Sequence, residues 1–91
     1  MLIFEWDEQK NVANITKHGV SFEVASEVFK DPLSLTIADP DHSESEDRFV
    51  TIGMTQSATM AVVSHTDREG RVRIITARLA TAKERKSYES N

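Results

Sequence analysis

Apolar residues recur along this chain at two different periods, and the switch between them divides it into elements. Leu2 to Trp6 reads as a short strand, and Asp7 after it is a good N-cap, because its carboxylate can accept the free N–H groups of a first helical turn. The first helix is predicted to run to about His18. Val12 and Ile15 would form its apolar edge, Lys10, Asn14 and Lys17 a polar face, and Gly19 the left-handed position that closes it. Ser21 can cap a second helix, in which Phe22, Ala25, Val28 and Phe29 recur at helical spacing and Pro32 stops the hydrogen-bond ladder.

Past Pro32 the period becomes twofold, as Leu33, Leu35 and Ile37 alternate with Ser34, Thr36 and Ala38, which predicts a strand. The acidic stretch from Asp39 to Asp47 predicts an exposed loop. Arg48 to Met54, Met60 to Thr66 and Arg71 to Leu79 then read as three strands joined by hairpin-sized connections. Thr81 and Glu84 have the spacing of a capping box, so a last helix should run to about Ser90. The order strand, two helices, four strands, helix predicts an α+β domain, with a mainly antiparallel sheet, two N-terminal helices and one C-terminal helix. Residues 1–91 are expected to form a single domain, since this length supports one core and no linker or repeat interrupts it.

Composition narrows the chemistry. Without cysteine there is no thiolate nucleophile, no disulfide and no cysteine-based zinc site. The apolar runs are too short to span a bilayer and the first residues lack the pattern of a signal peptide, so a cytoplasmic protein with no membrane contact is expected. The formal charge of −4 hides an asymmetry: residues 1 to 47 hold 3 basic and 11 acidic side chains, or −8, whereas residues 48 to 91 hold 8 basic and 4 acidic, or +4. A polyanion should therefore meet the C-terminal half. Asp39, Asp41 and Ser43 have the spacing of a calcium-loop start, but Glu44 stands where glycine is required and Val50 where the bidentate glutamate belongs. No phosphate-binding glycine loop, metal-binding histidine pair or serine nucleophile elbow is present, so neither a metal nor a cofactor is expected.

Several segments, in order and over nearly the whole chain, resemble the BrnT toxins of the BrnT/BrnA type II toxin–antitoxin systems. They are FEWD at Phe4 to Asp7, Lys10, Asn14, KHGVSFE at Lys17 to Glu23, Val28-Phe29 with Asp31 to Leu33, and DPDHSE at Asp39 to Glu44. RFVTIGM at Arg48 to Met54, His65-Thr66, RIITAR at Arg73 to Arg78, Ala80-Thr81, Glu84, Arg85 and Tyr88 complete the set. The resemblance implies a RelE-like fold and a metal-independent endoribonuclease that arrests translation. It also implies neutralisation by a BrnA-like ribbon-helix-helix antitoxin, with operator DNA bound only through that partner.

Cleaving RNA without a metal needs a base for the ribose 2′-hydroxyl, an acid for the leaving 5′-oxygen and cations for the charge on the phosphate. His65 is the natural acid or base, or else a core histidine hydrogen-bonded across the sheet. If Thr66 lies opposite Arg71, then Arg78 shares the face of His65 and Arg73 does not, and a one-residue slip reverses this. Tyr88 can donate a proton or stack on a base, with Glu84 one turn before it, or it can simply pack on the sheet. The expected catalytic set is thus His65, Arg73, Arg78 and Tyr88, with Arg48, Lys83 and Arg85 attracting RNA. The alternative is a non-catalytic module that only binds a partner, a reading the net negative charge favours.

Overall fold

The computed structural model describes residues 1–39 and 47–90, so the acidic loop and its rejected calcium pattern lie almost wholly outside the described residues. Five strands form one sheet in the order β1-β5-β4-β3-β2: β1 is Phe4–Glu5, β2 Leu35–Ala38, β3 Arg48–Met54, β4 Met60–Arg68 and β5 Arg71–Leu79. The helices are α1 at Glu8–His18, a short α2 at Phe22–Ser26 that tightens into a 3₁₀ turn at Glu27–Lys30, and α3 at Ala82–Glu89. The α+β class holds, but the sheet is mixed and not mainly antiparallel. The first strand inserts beside the last in parallel, pairing Phe4 with Val72 and Glu5 with Arg73, while the other three pairings are antiparallel. The second helix is also a single turn of α-helix rather than a full element reaching Pro32.

The caps behave as their chemistry requires. The Asp7 carboxylate accepts from the N–H groups of Gln9 and Lys10, Ser21 accepts from Val24, and Thr81 and Glu84 close a complete capping box. Gly19 adopts φ 73° at the end of α1. The core lies between the sheet and α1–α2, where Phe22, Ala25 and Val28 meet Ala61, Val63, Ile74 and Ala77.

Helix α1 packs by an unexpected face. Val12 and Ile15 are 58% and 45% exposed, and the buried residues are Asn11 and Asn14. Asparagine serves here because what must be covered is backbone. The Asn14 amide donates to the carbonyls of Val20 and Ala77 at 2.8 and 2.7 Å and accepts from the N–H of Ala77 at 3.2 Å. It thereby satisfies the edge of β5 beyond the reach of the two-residue β1. Asn11 likewise accepts from the N–H of Phe22 at 2.8 Å, tying α1 to the start of α2.

One glycine is required by close approach. A Cβ on Gly53 in β3 would stand 2.9 Å from the Val28 Cβ and 3.0 Å from the Val28 carbonyl oxygen. Gly53→Ala is therefore expected to cost about 1–3 kcal/mol, read as a lowered melting temperature, whereas the same change at an uncrowded position of equal conformation would not. A variant as stable as the parent would show that the 3₁₀ turn can yield.

Candidate functional site

The two faces of the sheet differ in chemistry, and a bulge decides which residues share a face. The β4–β5 hairpin turns through Glu69 and Gly70, both at positive φ, so Arg68 pairs with Arg71 and Thr66 with Arg73. The expected register, with Thr66 opposite Arg71, is thus corrected by two residues. His65 pairs with Ile74 but Ser64 with Thr76, leaving Ile75 as an extra residue in β5. The alternation of β5 inverts there. Val72, Ile74 and Ala77 turn toward the helices, while Arg73, Thr76 and Arg78 turn together to the other face, which an unbulged strand would not allow.

His65 joins neither arginine. It is buried on the helix-packed face between Phe29 and Phe49, with ring centroids at 4.9 and 5.8 Å, and its Nε2 shares a 2.7 Å hydrogen bond with the Thr51 hydroxyl across the sheet. Thr51 continues to Thr36 at 2.8 Å, and His65 Nδ1 has no partner among the described residues. The structure therefore matches the core-histidine alternative and separates His65 from the residues it was expected to serve.

Burial pushes the His65 pKa below the ordinary imidazole value, and the Asp67 carboxylate offsets this only in part. The folded state thus binds this proton less readily than the unfolded chain. Stability is fully present above the ordinary pKa near ~6.5 and is lost as pH falls below it toward the lowered folded value, by at most about 1.4 kcal/mol per pH unit. Melts at descending pH should show this loss, and His65→Gln should flatten the slope. An identical slope in the two proteins would contradict the assignment.

On the opposite face β5 carries its arginines into carboxylate pairs. Arg73 reaches Glu5 at 3.1 Å, Arg71 reaches the same carboxylate at 3.6 Å, and Arg78 forms a fork with Glu84 at 2.7 and 2.8 Å. Hydrogen bonding by Arg78 is the largest cause holding the Glu84 pKa down at about 2, and the same bond raises that of Arg78. Arg73 and Arg78 lie in one row along β5 with Thr76 between them. Arg48, opposite Thr66, and Arg68, opposite Arg71, belong to the same face by strand alternation.

Helix α3 crosses only one end of this face and buries no residue fully. The Arg78–Glu84 fork holds it at one end, and the Tyr88 hydroxyl, donating to Asp31 at 2.6 Å, holds it at the other. Asp31 also accepts from the N–H groups of Met54 and Leu33; burial opposes its charge, but these hydrogen bonds, led by that of Tyr88, keep its pKa below the ordinary value. The bond to Asp31 raises the Tyr88 pKa, so this phenol keeps its proton and directs it at Asp31. Lys83 lines a shallow surface with Lys86 and Ser90 on the outside of α3, and Arg85 is exposed beside them. Among the described residues no cluster of histidine, cysteine and carboxylate side chains could hold a metal, and no helix is long and apolar enough to cross a membrane.

The sequence places Glu5 and Asp31 only within the resemblance and Asn14 on a polar helix face, with no sign of the partners the fold gives them. Glu5 becomes significant only through its parallel pairing with Arg73. Asp31 carried a signal, since an aspartate before Pro32 commonly folds back on the backbone, as it does here on Leu33.

Comparison with known proteins agrees with this architecture. The profile of the family described as "Ribonuclease toxin, BrnT, of type II toxin-antitoxin system" matches residues 6–84. The chain belongs to the BrnT family. A crystal structure of the Brucella abortus ribonuclease toxin BrnT superposes with a TM-score of 0.65 at 21% identity, covering 89% of this chain and 99% of that one, which shows a shared fold. No curated protein sequence matches. As a BrnT-family member the chain is the toxin half of a pair whose other half is a protein antitoxin.

Proposed function

We propose that this BrnT-family chain is a metal-independent endoribonuclease of RelE-like chemistry whose active face is the open, arginine-bearing side of the sheet. The observation that carries the reading is the bulge at Ile75, which brings Arg73 and Arg78 onto one solvent-facing row instead of opposite faces. A guanidinium held in a carboxylate fork presents a planar, permanently charged donor that a phosphate can take over. When the scissile phosphate displaces Glu84 from Arg78, the carboxylate is released from the partner that holds its pKa near 2 and becomes the base for the 2′-hydroxyl. Arg78 then stabilises the pentacoordinate phosphate, Arg73 holds an adjoining phosphate, and a water on the open face passes the proton taken up by Glu84 to the leaving 5′-oxygen, which restores the carboxylate. Tyr88, with its proton committed to Asp31, anchors the helix that carries Glu84. His65 supports the sheet from its other side.

Such chemistry produces 2′,3′-cyclic phosphate ends in excess EDTA, and expression arrests translation until a BrnA-like antitoxin with a ribbon-helix-helix part covers the face. Arg85 and Lys83 add attraction for RNA, so Arg85→Glu should weaken RNA binding more than Lys30→Glu. Cleavage that EDTA abolishes and magnesium restores would overturn the mechanism. A pure binding module is the competing reading, favoured by the carboxylates that already occupy both guanidiniums. RNA bound by the purified protein but never cut would establish it.

A further inference from the structure

Two of the three basic side chains in the acidic first half of the chain, Lys10 and Lys17, line one groove beside β5, while the third, Lys30, lies elsewhere. The groove has a volume of about 230 Å³, and its walls are Lys10, Ala13, Asn14, Lys17 and His18 of α1 facing Ile75 and Thr76 of β5. The lysines are seven residues apart on one helix face, about 10 Å along its axis.

Charge in this groove differs from charge on the sheet. Arg71, Arg73 and Arg78 are each paired with a carboxylate, whereas among the described residues neither Lys10 nor Lys17 makes an ion pair. A polyanion therefore meets two cations with no protein carboxylate to displace, and gains the full release of its counterions. The floor is fixed as well, since the Asn14 amide is tied to Val20 and Ala77 and cannot swing into the groove.

Position supplies the functional link. Thr76 lines the groove and also sits between Arg73 and Arg78 in the row on the open face, because the bulge at Ile75 rotates it there. A strand lying across Arg78 and leaving the sheet past Thr76 enters the groove directly. We infer that the Lys10–Lys17 groove is a second RNA subsite, which binds the phosphates flanking the segment held on the arginine face. The inference rests on the proposed RNA substrate but not on cleavage.

The test is fluorescence anisotropy with a labelled 2′-O-methyl oligoribonucleotide, which lacks the attacking hydroxyl and cannot be cut, long enough to span both surfaces, beside a trinucleotide confined to one. The variants are Lys10→Gln/Lys17→Gln, the charge-matched Lys30→Gln/Lys86→Gln, and Lys10→Arg/Lys17→Arg. The first should bind the long strand roughly tenfold more weakly with its salt dependence reduced by about 1.4 in log–log slope, near 0.7 for each phosphate that is no longer neutralised. The trinucleotide, which either surface can hold alone, should lose less than the long strand, the control pair should lose much less, and the arginine pair should keep wild-type affinity. Unchanged affinity and slope in the glutamine pair would assign these lysines to solvent or to a protein contact and overturn the inference, even if the protein cleaves RNA. The expected pattern without any cleavage of natural RNA would leave the subsite standing and remove the proposed nuclease, while a wild-type protein that binds neither strand would remove both.

Discussion

Asn14→Ala is expected to lower the melting temperature by roughly 15–30 °C, or to leave the chain unfolded at ambient temperature. The residue sits at the centre of an accounting problem for the backbone. Strand β1 pairs β5 only at Val72 and Arg73, so the outer edge of β5 further on must find partners in α1. Truncating the amide strips partners from the Ala77 N–H, the Ala77 carbonyl and the Val20 carbonyl together. With buried unsatisfied groups costing about 1–3 kcal/mol each, the total comes to roughly 3–5 kcal/mol once some water entry is allowed. A 91-residue domain has only about 5–14 kcal/mol to lose. Asn14→Asp should be no better, because it keeps the acceptor for Ala77 N–H but aims a second oxygen at two carbonyls. Thermal melts check both, and transitions within a few degrees of the parent would mean that water replaces the amide without cost.

The largest functional effect is expected at Arg78. Arg78→Ala should reduce the cleavage rate by about 10²–10³-fold, the usual loss when one donor to a developing oxyanion is removed. Arg78→Lys should recover little, since a point charge cannot reproduce the fork. Glu84→Gln is the informative companion. Glutamine keeps the capping role at this helix position, so the fold should survive, yet it cannot accept the 2′-hydroxyl proton. Rates measured on a single RNA under single-turnover conditions, beside circular-dichroism melts, separate chemistry from stability. Full activity in folded Glu84→Gln would remove the carboxylate from the mechanism and leave Arg78 with an electrostatic role alone.

The sequence displayed its elements where side-chain chemistry is local. Asp7, Ser21 and Thr81 announced three helix starts, alternation announced β2, and hairpin-sized connections separated β3, β4 and β5, because caps, periods and short turns depend only on near neighbours. Facing was less legible. Nothing in RIITAR states that Ile75 will bulge, yet that one residue moves Arg78 from the face of His65 to the face of Arg73. The apolar edge assigned to α1 failed for a related reason: Val12 and Ile15 have the right spacing, but the surface to be covered is an unpaired strand edge, which selects amides over hydrocarbon. Parallel insertion of β1 is a pairing across nearly seventy residues, and no local pattern encodes it. Tyr88 and Asp31, fifty-seven positions apart, meet only because α3 folds back across the end of the sheet.

RNA is expected to lie on the open face of the sheet, and amide chemical-shift mapping with an uncleavable 2′-O-methyl RNA reads its position residue by residue. Perturbations should concentrate at Arg73, Thr76, Arg78 and Glu84, while His65, Thr51 and Phe29 in the core beneath stay near their free positions. Perturbations centred on the exposed Val12 and Ile15 side of α1, with the β5 arginine row unmoved, would contradict it.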